Sequence, residues 1–169
     1  MSRPCMLSRK AAMLYAVAGF LTVLGQTPSS NVDPRIGTWR LNVEKSQFAA
    51  GRAPQFQVRR LESRPDGLTV FTQAGIDAQG NPIFTQTTYK LDGKEYPEYT
   101  QATLAQFAAA GVKPNTNTYR LVGAYTVEIT RIDATGKVTA TVKQSMSKDG
   151  KAHTVTSTGR PDIQVWEKQ

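Results

Sequence analysis

The stretch Leu68-Thr69-Val70-Phe71-Thr72-Gln73-Ala74-Gly75-Ile76-Asp77-Ala78-Gln79-Gly80-Asn81-Pro82-Ile83-Phe84-Thr85-Gln86-Thr87-Thr88-Tyr89-Lys90-Leu91 decides the fold. It holds two runs of period-two alternation. Leu68, Val70, Thr72, Ala74 and Ile76 fall in step in the first, and Ile83, Thr85, Thr87, Tyr89 and Leu91 in the second. Alternation puts every second side chain on one face of an extended chain, the mark of a half-buried strand. Between the runs, Gln79-Gly80-Asn81 supplies the positive φ that a tight reversal needs. The unit is an antiparallel hairpin.

The same grammar extends in both directions. Strands are predicted over 38–43, 56–61, 118–123, 125–132, 137–147, 152–158 and 163–168, besides 68–76 and 83–91. Turn formers separate them: Pro65-Asp66-Gly67, Asp92-Gly93, Thr135-Gly136 and Asp149-Gly150. Hairpin follows hairpin, with no room for βαβ crossovers. The expected fold is all-β, an antiparallel up-and-down meander of eight or nine strands. An open sheet of that size would expose its edges, and closure into a barrel removes them. One segment departs from the pattern. Thr103-Leu104-Ala105-Gln106-Phe107-Ala108-Ala109-Ala110 predicts a short inserted helix near 102–110, with Thr100 or Thr103 as its cap and Gly111 at its end. This helix would rest on an outer wall or lie across a barrel mouth.

The N-terminus reads differently. Residues 1–10 carry Arg3, Arg9 and Lys10 and no acid; residues 11–25 are continuously apolar or small; a polar stretch with Pro28 follows. This is the layout of a secretory signal peptide. The apolar run is short of the roughly 20 residues of a spanning helix. The expected organisation is a signal peptide over 1–25 cut before Gln26, a flexible linker over 26–35 and a barrel domain over 36–169. The alternative is a retained anchor. The protein is expected to be exported, to the periplasm or beyond, touching the membrane only through that segment.

Charge and composition bound the chemistry. The chain has 21 basic and 13 acidic residues, and removing Arg3, Arg9 and Lys10 leaves 18 against 13. Much of the basicity therefore belongs to the targeting segment, which disfavours nucleic acid as a partner. The sole cysteine, Cys5, leaves with that segment, taking disulfide and thiolate chemistry with it.

The run Gly37-Thr38-Trp39-Arg40-Leu41-Asn42-Val43-Glu44-Lys45-Ser46-Gln47-Phe48, at the first strand, resembles the Gly-x-Trp start of lipocalins and related calycin barrels. With the Asp-Gly-Lys turns and the Trp166-Glu167-Lys168 ending, the chain from about residue 33 looks like a group of secreted bacterial lipocalin-like proteins. The resemblance implies that Trp39, reached through Gly37, closes one end of the barrel under a basic residue near the last strand. Arg160 and Lys168 are both candidates. A cation over an indole gains roughly 0.5–2 kcal/mol. The usual lipocalin cysteine pair is absent.

No residue pattern points to catalysis. His153 is the sole histidine, on a polar strand, and is expected at the surface. Asp66, Asp92, Asp133 and Asp149 sit in turns, where Asx hydrogen bonding is their role. The glutamates show no paired spacing. No metal or cofactor is expected. Arg52, Arg59, Arg60 and Arg64, with Glu62 and Asp66, read as a solvated mixed-charge edge. The barrel interior is the remaining candidate site. If Trp39, Leu41, Val70, Tyr89, Tyr125, Val127 and Val142 face inward, Thr72, Thr85, Thr87 and Gln144 do too. Such a lining suits a small hydrophobic or amphipathic molecule, with Tyr89, Tyr125, Thr85, Thr87 and Phe107 as candidate contacts. The alternative is a filled barrel serving as a non-catalytic interaction domain.

Overall fold

The computed structural model describes residues 33–103 and 113–169. Ten strands follow one another: β1 (Gly37–Gln47), β2 (Phe56–Ser63), β3 (Thr69–Ile76), β4 (Pro82–Tyr89), β5 (Asp92–Thr100), β6 (Thr116–Gly123), β7 (Thr126–Ile132), β8 (Val138–Met146), β9 (Ala152–Ser157) and β10 (Arg160–Lys168). Each pairs antiparallel with the next, and β10 returns to pair with β1, so the meander is a closed barrel. Among the described residues no edge strand remains to template aggregation.

The count exceeds the expected eight or nine by the strand β5. Its sequence, Asp92-Gly93-Lys94-Glu95-Tyr96-Pro97-Glu98-Tyr99-Thr100, is acidic and carries a proline that cannot donate to a ladder. It is nevertheless paired on both sides, through Thr87↔Glu98 to β4 and Tyr96↔Asn117 to β6. The Thr87 hydroxyl adds a tie by donating to the Pro97 carbonyl at 2.9 Å.

The turns use the predicted mechanism. Asp77 Oδ1 accepts from the amides of Gln79 (2.9 Å) and Asn81 (2.8 Å), and Gly80 takes φ +89. Asp133 does the same for Thr135 (2.9 Å) and Lys137 (3.0 Å), with Gly136 at φ +89. These side chains stand in for backbone acceptors, so each reversal is set locally.

Residues 101–103 are helical, and Thr100 Oγ1 accepts from the Thr103 amide at 3.2 Å, as an N-cap does. The rest of the predicted helix, including Leu104 and Phe107, lies outside the described residues, as do the predicted signal peptide and the linker as far as residue 32. Asp33 and Arg35, assigned to that linker, form a turn in which the Ile36 amide donates to the Asp33 carbonyl at 2.9 Å and the two side chains are ion-paired.

The interior face is fixed by register. Leu61 of β2 stands opposite Phe71 of β3, and Phe71 opposite Thr87 of β4. Phe71 and Gln73 therefore point inward, and Val70 and Thr72 point outward, against expectation. Their partners across β2, Glu62 and Arg60, form an outer ion pair at 2.8 Å. Both faces of β3 carry apolar residues, so alternation alone did not identify the inner one. Trp39 and Trp166 are fully buried. Each contributes roughly 4–6 kcal/mol of burial free energy by area.

Candidate functional site

One end of the barrel is closed by a layer built on Trp39. Its Nε1 donates to the Arg35 carbonyl at 2.8 Å, and its ring centroid lies 4.6 Å from that of His153. Lys168 Nζ stands 5.3 Å from the indole centroid and donates to the Pro34 carbonyl at 3.0 Å. Gly37 is required beside it. Its φ is +135, and a Cβ there would lie 2.9 Å from Lys168 Cε. Of the two basic candidates, Lys168 meets Trp39. Arg160 does not: it begins β10 at the other end and lines a cavity there.

His153 is buried, not a surface residue. It sits between Trp39 and Trp166, 6.0 Å from the latter's ring centroid. Burial, and after it the charge of Arg59, push its pKa down to about 3. It is neutral at any physiological pH.

The arginine cluster divides. Arg60 pairs outward with Glu62, and Arg52 pairs with Asp162 at 3.1 Å. Arg59 alone turns inward, because β2 alternates Gln57, Arg59 and Leu61 on its inner face. Only 7% of Arg59 is exposed. Its guanidinium lies 3.7 Å over the Trp166 ring. Nε donates to Gln73 Oε1 at 2.7 Å, Nη1 to His153 Nε2 at 3.4 Å, and Nη2 to Gln164 Oε1 at 3.3 Å. Because a guanidinium can only donate, His153 Nε2 accepts and its ring proton sits on Nδ1. Burial first, and Arg131 second, lower the Arg59 pKa to about 9, which leaves it charged at neutral pH.

Beyond this layer lies a cavity of about 500 Å³ that extends to the β9–β10 turn at residues 158–160, which are exposed. Its wall mixes apolar groups, among them Phe71, Ile83, Ile129 and Val142, with side-chain amides such as Gln57, Gln73 and Gln144. Arg59 lines it from the closed side.

The predicted contact residues fall in different places. Thr85 and Tyr89 line the cavity. Tyr89 stacks on Tyr119 with centroids 3.7 Å apart, and burial pushes its hydroxyl up to about 12. Thr87 points inward but is buried behind the wall, its hydroxyl held by Pro97. Tyr125 is 46% exposed and contributes nothing to the lining. It precedes β7, where the chain is still in the hairpin turn and strand parity does not yet apply. Phe107 lies outside the described residues.

No protein-family model, curated protein or solved structure matches the chain. Among the described residues, no group of three or more His, Cys, Asp or Glu side chains gathers as a metal site.

Arg59 and His153 are the residues that sequence reasoning placed at the surface and the structure buries. A signal for Arg59 existed: it shares strand parity with Leu61, two positions on. The neighbouring charges of Arg60, Glu62 and Arg64 hid it.

Proposed function

We propose that the chain is an exported lipocalin-like protein that holds one small amphipathic molecule inside its barrel. The observation that carries this reading is the cavity of about 500 Å³ beside the Trp39 layer. That volume is within the 300–1,000 Å³ typical of small-molecule sites. A barrel used only as a scaffold would fill this space with side chains. Export rests on the basic, apolar and polar succession over residues 1–28. The lipocalin likeness rests on Gly37 and Trp39 at the start of the barrel, with Lys168 over the indole.

The wall favours an amphipathic ligand over a purely hydrophobic one. Gln57, Gln73 and Gln144 would each lose hydration against a bare hydrocarbon. Phe71, Ile83 and Val142 give the carbon part of a ligand its surface. No residue is assigned a catalytic role.

Native mass spectrometry of the protein purified from its source tests the reading. The expected result is a non-covalent adduct of one small molecule per chain, released on unfolding. A chain that is always empty, and that also takes up no amphipathic probe, would overturn it.

A further inference from the structure

The electrostatics of the barrel interior narrow the ligand class, on the assumption that the interior holds a ligand at all. Arg59 is more than nine-tenths buried and lies on the cavity wall. Among the described residues it has no carboxylate within ion-pairing distance; the ion pairs there join other cations to their acids. A buried charge without a counter-charge is strongly unfavourable unless something compensates it. Three acceptors, all neutral, take one N–H each from Nε, Nη1 and Nη2. A guanidinium has five N–H groups. One on each terminal nitrogen is left over, and a guanidinium can give two such N–H groups to the two oxygens of one carboxylate.

The surroundings hold the guanidinium in place and do not neutralise it. Trp166 supports its face at 3.7 Å and Gln73 anchors Nε. His153, being neutral, adds no charge of either sign. Of the other charged groups on the cavity wall, Asp162 is paired with Arg52, and Glu98, which accepts from Asn117 Nδ2 at 3.0 Å, is the one carboxylate there without a cation in the ion pairs of the described residues. Arg131 and Arg160 add positive charge on the same wall. The interior is thus biased toward an anion, and its deepest charged group is a single pre-organised guanidinium.

We propose that Arg59 is the recognition point for one carboxylate, and that the molecule held in the barrel is a small organic monocarboxylate whose carbon body lies along Phe71, Ile83 and Tyr89. A single carboxylate matches both the charge and the two remaining N–H groups.

The test uses three probes of one length, octanoate, 1-octanol and octylamine, titrated calorimetrically into the barrel protein and into Arg59→Met and Arg59→Lys. Octanoate is expected to bind one per chain, at least tenfold more tightly than 1-octanol, with octylamine weakest. Arg59→Met is expected to remove that preference while 1-octanol binding persists. Arg59→Lys is expected to retain part of it, since the charge stays and the guanidinium is lost. In the unaltered protein, the carboxyl carbon of ¹³C-labelled octanoate is expected to titrate at lower pH when bound than when free, a readout that needs no variant. Equal binding of octanoate and 1-octanol, or an unshifted titration, would overturn the carboxylate assignment and leave the cavity reading standing. Binding of none of the three would overturn both.

Discussion

The Arg59 guanidinium lies 3.7 Å over the Trp166 indole, joining β2 to β10 across the barrel interior. Trp39 is Arg59's neighbour in the β1–β2 register, and Trp166 is that of Leu41 in the β1–β10 register. The layer that closes the barrel and the layer that offers a charge to the cavity are therefore one continuous piece of packing. A change in one is expected to be felt in the other.

Trp39→Ala should destabilise the barrel by about 3–5 kcal/mol, the usual cost of truncating a large buried aromatic. Chemical denaturation at equilibrium checks it. A negligible shift would mean that Trp39 does not organise the closed end.

The two basic residues near β10 should behave differently. Lys168→Ala removes the cation over Trp39 and a hydrogen bond to Pro34, and should cost about 0.5–2 kcal/mol. Lys168→Arg should restore most of it. Arg160→Ala, at the cavity rim, should stay within about 0.5 kcal/mol of the unaltered protein. Equal effects of the two alanine variants in thermal melts would contradict this placement.

Stability should fall as pH drops below about 6.5, the ordinary histidine value. His153 has its pKa lowered to about 3 in the folded chain, chiefly by burial. Between those values the unfolded chain binds a proton that the native one does not. The histidine's contribution is therefore complete above 6.5 and declines by about 1.4 kcal/mol per pH unit as pH falls. The chain has one histidine, so the interval from pH 6.5 to 5, above the carboxylate range, isolates it. His153→Gln should flatten the slope there. Retention of the full slope in that variant would refute the assignment.

Gly75→Ala should be the most damaging of the glycine substitutions in β3 and its turns. A Cβ at Gly75 would lie 2.2 Å from the Phe56 carbonyl oxygen and 2.9 Å from Gln57 Cα, both backbone atoms that cannot swing away. Overpacking of this kind costs about 1–3 kcal/mol or more. Gly67→Ala, with open space around it and φ +77, should cost only about 1 kcal/mol. Urea midpoints for the two variants in the reverse order would contradict the close approach of β2 to β3.

The barrel was legible because its strands are bounded by Asp-Gly and Gly-Asn turns whose chemistry is local. Asp77 and Gly80 need no knowledge of the rest of the chain to make their reversal. β5 was not legible, because Pro97 and its acidic neighbours speak against a strand and only the ladders of β4 and β6 override them. The site was read in part. Thr85 and Tyr89 followed from parity, which holds along a strand. Tyr125 failed because parity stops where the ladder stops. Arg59 and His153 failed for a different reason: polar residues are assigned to solvent by default, and only three-dimensional register shows that they meet inside the barrel beside Trp166.

The central claim, a hollow interior open to a small molecule, is tested most directly with N-phenyl-1-naphthylamine, a neutral probe that fluoresces on leaving water. Titration into the protein should saturate at one probe per chain, with energy transfer from Trp39 and Trp166. It should be abolished by Ala140→Trp, which places an indole inside the cavity that Ala140 lines. Non-saturating uptake, or binding unchanged by Ala140→Trp, would contradict the account.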